Sequence, residues 1–109
     1  MPTVDYFCYA VRSEFFEAQA AAAGWELDFN SARYWAKDLI MEAGLGGKAK
    51  LHHVWNDIGR FTCIVLAASK YDPYAPNMPI GKEPPLEEYE SLRTLLGTQK
   101  EPQWRKFKL

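Results

Sequence analysis

The sequence predicts an α+β fold, a small antiparallel sheet with helices packed on one face, in the order β-α-α-β-β-α-β. Three observations carry that prediction. Short runs of period two alternate with segments of helical period. Two of the four strand-like runs are apolar on both faces while the other two are mixed. Between the second and third runs, Asn56-Asp57-Ile58-Gly59 forms a hairpin turn.

Residues 3–11 read as the first strand, with Val4, Tyr6, Cys8 and Ala10 on one face and Phe7, Tyr9 and Val11 on the other. Ser13 is placed to cap a helix from about Glu14 to Ala23 that stops at Gly24. Its alanine run favours helix formation and close packing. Residues 25–29 form an extended connector, and Asn30 or Ser31 opens a second helix to about Ala43. Its stripe of Ala32, Trp35, Ala36, Leu39, Ile40 and Ala43 has the helical period, with Arg33 and Lys37 as solvated neighbours of a core Trp35. Residues 50–55 and 60–69 read as the hairpin strands, and residues 86–96 as a last helix ended by Gly97. The tail over residues 98–109 alternates apolar and basic residues from Gln103 onward, as an exposed edge strand does. Between the third strand and the last helix, residues 71–85 carry five prolines without periodicity, a long connection of the kind associated with function or poor order.

With one early helix removed, the order becomes β-α-β-β-α-β and resembles the ferredoxin-like split βαβ pattern. That topology places the first and third strands centrally, and those are the two runs apolar on both faces. The likeness is topological and implies no particular activity.

At 109 residues the chain has the size of one domain, 1–109. Thirteen basic residues against fourteen acidic ones give a formal charge of −1, which supplies no overall field toward nucleic acid or anionic lipid. Cys8 and Cys63 lie in apolar runs without metal or disulfide spacing, so a reduced, cytoplasmic setting is expected. The residues after Met1 lack the pattern of a signal peptide, and no apolar run approaches the ~20 residues that span a bilayer. Gly44-Leu45-Gly46-Gly47-Lys48 follows a helix and precedes a strand, the reverse of a phosphate-binding loop, so no nucleotide, metal or other cofactor is expected.

Three functions remain. The first is a non-catalytic module, an accessory or inhibitor-type protein that docks on a protein partner. Its contact residues would be Tyr71, Asp72, Tyr74, Asn77, Met78 and Ile80 of the proline-rich loop, whose restricted freedom lowers the entropy lost on docking. On that expectation, truncating Tyr74 and Met78 leaves stability nearly unchanged. The second is a cofactor-independent enzyme of the dimeric α+β barrel type. There His52 or His53 would exchange protons with Tyr6 or Tyr9, assisted by Asp57, in a cavity enclosed by a homodimer. Adjacent histidines on a strand point to opposite faces, so at most one serves. The third is single-stranded nucleic-acid binding by Lys100, Trp104, Arg105, Lys106 and Lys108, where cations alternate with stacking rings. The overall charge argues against it, and nothing suggests a membrane partner.

Overall fold

Alternation along β1 (Thr3–Arg12) buries both of its faces, with Val4, Tyr6 and Cys8 turned one way and Phe7, Tyr9 and Val11 the other. The computed structural model describes residues 2–97 and 99–109; Met1 and Thr98, the first residue of the predicted tail, lie outside the described residues. The other elements are α1 (Ser13–Ala22), α2 (Ser31–Glu42), β2 (Lys50–Asn56), β3 (Gly59–Ala68), α3 (Leu86–Leu96) and β4 (Gln103–Lys108). They form a small α+β domain around one four-stranded sheet in the order β2-β3-β1-β4, every neighbouring pair antiparallel. The strands apolar on both faces are central and the mixed ones are edges. The basic tail pairs with β1, Thr3 opposite Lys108 and Cys8 opposite Gln103. A bulge between Phe7 and Cys8 shifts the β1–β3 register, so Phe7 faces Ala67 while Cys8 faces Val65.

The three helices bury their apolar stripes on one face of the sheet. Phe16, Ala36, Leu39, Leu92 and Leu96 pack there against Tyr9, Val11, Ile64 and Leu66. Ser13 departs from its predicted capping role. β1 runs into α1 without a connector, so Arg12 holds the N-cap position in extended conformation with no side-chain cap bond. Ser13 is instead buried, its hydroxyl 2.9 Å from that of Thr62 on β3. The two buried hydroxyls satisfy each other. Of the alanines in α1, only Ala20 is buried, so the alanine run serves propensity more than packing. Trp35, expected in the core, lies half-buried at its rim, donating to Gln19 and stacking edge-on with Trp25.

The proline-rich loop is ordered by short turns, Ala75 N–H donating to the Asp72 carbonyl and Met78 N–H to the Ala75 carbonyl. It covers the face of the sheet opposite the helices. Ala75 and Met78 join Val4, Tyr6, Cys8, Cys63 and Val65 in a second apolar cluster. Asn77 N–H donates to the Gly47 carbonyl, and Ile80 bridges Ala68 in parallel register. Met78 is only 6% exposed, so the expectation that truncating it spares stability is reversed. Among the described residues, no helix is long and apolar enough to cross a membrane.

Candidate functional site

The β2–β3 register separates the two histidines, His52 lying opposite Cys63 on the loop side and His53 opposite Thr62 on the helix side. The His52 ring stands edge-on to Tyr6 and Phe107, at centroid distances of 5.4 and 4.7 Å. Lys50, two residues earlier and so on the same face, places its ammonium 4.7 Å from the Tyr6 ring centroid and pairs with Asp72 of the loop. Burial and the Lys50 charge push the His52 pKa below its ordinary value. His53 meets different company. Arg33 Nε donates to His53 Nε2 over 3.2 Å, which requires a neutral imidazole carrying its proton on Nδ1. Burial, then the charges of Arg33 and His52, lower its pKa.

Tyr9 belongs to the helix side, 2% exposed, its hydroxyl without a hydrogen-bond partner among the described residues. Burial, with the nearby Glu101 and Tyr89, pushes its pKa up to about 12. Asp57 is exposed at the hairpin tip. The five residues selected for acid–base work therefore occupy separate places, with only Tyr6 and His52 in contact. Among the described residues, no three His, Cys, Asp or Glu side chains gather as a metal site. Cys8 and Cys63 are free, buried thiols on the loop side; hydrogen bonding to Cys63 and burial push the Cys8 thiol up.

Two hollows lie along β2, and Arg33 lines both. The first, about 410 Å³, lies between the start of α2 and the hairpin, with Phe29, His53, Trp55 and Arg60 on its walls and the Ser13–Thr62 pair also lining it. The second, about 570 Å³, lies between α2 and the start of β2, lined by Tyr34, Lys37, Met41, Lys50 and Tyr74. Their rims are apolar and open to solvent: Phe29 and Tyr74 are 88% exposed and Trp55 is 83% exposed. Sequence reasoning named His53 and Tyr74 but passed over Phe29, Arg33 and Trp55, which lie in a connector, on the outer face of a helix and on an edge strand. One signal was present. Arg33 and Lys37 stand one helical turn apart, a like-charge spacing that costs stability.

The loop residues divide by role. Tyr71, Tyr74 and Ile80 are exposed, Met78 is in the second core, and Asp72 is committed to Lys50 while also accepting from the Tyr74 N–H. Exposed Asn77 sits beside Gly47. In the tail, Trp104 packs toward Phe7 with ring centroids 5.6 Å apart. Trp104, Lys106 and Lys108 share a face with Phe7, Asp5 and Thr3, whereas Arg105 shares the opposite face with Tyr6. Lys100 is exposed ahead of the strand. The tail cations thus divide between two faces and make no single stripe.

Compared with protein families, with curated proteins and with solved structures, the chain matches none.

Proposed function

We propose that the protein is a non-catalytic module that docks on a protein partner through the flank formed by α2, β2 and Tyr74. The observation that carries this reading is the exposure of Phe29, Trp55 and Tyr74 on the rims of two hollows that share Arg33. Aromatic side chains and arginine dominate binding energy at protein interfaces, and concave surroundings let them exclude water. In this reading Tyr74 is the loop's contact residue, while Met78 and Asp72 hold the loop against the sheet. The strand order and antiparallel pairing support a ferredoxin-like reading, in which α1 and α2 together stand in place of the single first crossover helix. Two free thiols favour a reducing cytoplasm.

The acid–base enzyme has less support, because the contacting pair Tyr6 and His52 lines neither hollow. Nucleic-acid binding through the tail has less still, since its cations divide between two faces.

Photo-crosslinking side chains placed at positions 55, 74 and 108 test the docking reading. A discrete protein adduct from positions 55 and 74, missing from position 108 on the opposite edge strand, is the expected result. No adduct, or the same adducts from all three, would overturn it.

A further inference from the structure

We propose that the groove between α2 and β2 takes an extended, acidic segment of a partner protein, which adds as a strand to β2 and seats a carboxylate on Arg33. The inference rests on the docking reading and specifies its partner.

Charge is the first argument. The walls of the two hollows carry Arg33, Lys37, Lys50 and Arg60 and no aspartate or glutamate, in a chain whose formal charge is −1. Two of these cations are already neutralised. Arg60 is held by Glu17 at 2.8 Å and approached by Glu14 at 3.6 Å, and Lys50 is paired with Asp72. Arg33 and Lys37 have no ion pair among the described residues. Among the described residues the one side-chain hydrogen bond of Arg33 goes from Nε to a neutral histidine, so its charge is not balanced and its terminal nitrogens keep the fork that grips a carboxylate.

The strand edge is the second argument. Among the described residues β2 pairs only with β3, and its seven residues extend about 23 Å at the usual rise per residue. The other edge, β4, is guarded by Arg105, Lys106 and Lys108, the protection expected of an edge meant to stay single. β2 has no such guard, because its one charged residue, Lys50, is tied to the loop. An extended segment satisfies the outer backbone groups of β2 through its own, and its alternate side chains enter the groove.

The same two features select a polypeptide over a single nucleic-acid strand. Two unbalanced cations one turn apart are few for tracking phosphates, and a row of free backbone groups is matched by another backbone. The occupant therefore carries, among the alternate side chains that enter the groove, an acidic residue over Arg33 and large apolar ones on either side of it, which meet Phe29 and Trp55 at one end and Tyr34 and Tyr74 at the other.

Fluorescence anisotropy with labelled decapeptides provides the test. Peptides with one central Glu, with Val, Leu or Phe two residues to either side of it and Ser elsewhere, are compared with their Gln and Lys counterparts, with versions N-methylated at alternate amides, and with a ten-residue oligothymidylate. At least one Glu peptide should bind, about tenfold more tightly than its Gln counterpart, with the Lys peptide and N-methylated form losing binding. Arg33→Gln should remove the preference for Glu over Gln at unchanged melting temperature, and Arg33→Lys should restore part of it. Equal affinity for Glu and Gln peptides, or no binding by any peptide, would overturn the acidic occupant. Unimpaired binding after N-methylation would overturn strand addition, and preference for the oligothymidylate would replace the peptide with nucleic acid. A neutral or basic segment crosslinked at positions 55 and 74 would leave the docking reading standing while this inference falls.

Discussion

Asp72 reaches from the proline-rich loop to pair with Lys50 at the start of β2, and the same ammonium stands 4.7 Å from the centre of the Tyr6 ring. One cation thus joins the loop, the edge strand and a central strand. Burial disfavours the Asp72 carboxylate, but the Lys50 hydrogen bond, the Tyr74 amide and the Lys50 charge together hold its pKa below the ordinary 3.8. A carboxyl with a lowered pKa contributes stability that is present above its unfolded value and lost as pH falls through the folded one. Asp72→Asn keeps the acceptor for Tyr74 N–H and removes the charge. It should cost about 1–3 kcal/mol, read as a lower urea midpoint, and should speed amide exchange at Asn77 and Gly81. Unchanged exchange would mean that the apolar contacts of the loop suffice.

Met78 and Tyr74 lie four residues apart and should behave oppositely. Met78→Ala opens a cavity under the loop and should cost about 2–5 kcal/mol. Tyr74→Ala removes an 88% exposed ring and should stay within about 0.5 kcal/mol. Chemical denaturation of both variants checks the contrast, and equal losses would show that the loop docks in another way.

Both histidines have folded pKa values below the ordinary 6.5. The native state therefore binds fewer protons than the unfolded chain just below that pH. The resulting stability is full above about pH 6.5 and is lost as pH falls through the folded pKa values. Urea midpoints measured between about pH 5 and 8 should fall on the acid side, and His53→Gln should flatten the trend. NMR titration should place both imidazoles below their unfolded value.

Tyr9 presents a buried hydroxyl with no partner among the described residues. Removing an unsatisfied polar atom while keeping the ring should be neutral or stabilising, by up to about 1 kcal/mol in Tyr9→Phe. A loss larger than that in denaturant titration would reveal a bridging water or another acceptor.

The strand pattern was legible because burial on both faces leaves an unbroken apolar run, as in β1 and β3, whereas edge strands such as β2 mix Leu51 and Val54 with His52 and His53. Gly97 and the stripe of Leu86, Tyr89, Leu92 and Leu96 marked α3 equally well, although Leu86 proves exposed at its start. The role of Ser13 was not legible. A cap and a buried hydroxyl partner have the same local sequence, and only the β3 register, which brings Thr62 to it, separates them. The loop's division into Met78 inside and Tyr74 outside escaped for the same reason, since aperiodic chain encodes no face. The flank around Arg33 is assembled from a connector, a helix and an edge strand. Its identity as one surface exists only after folding.

The β1–β4 ladder leaves Leu109 N–H donating to the Pro2 carbonyl at 3.0 Å, so residues 2 and 109 finish side by side. Pairing them requires closure over nearly the whole chain, whereas the β2–β3 hairpin closes locally. Long closures add little to the equilibrium cost, about 0.6 kcal/mol per doubling of loop length, but they slow the search for the native pairing. A short peptide linking the two ends would turn the sheet's most distant pairing into its nearest. The backbone could then be opened at the exposed Asp57–Ile58 turn, giving a circular permutant that retains all four strands and assembles them in a different temporal order.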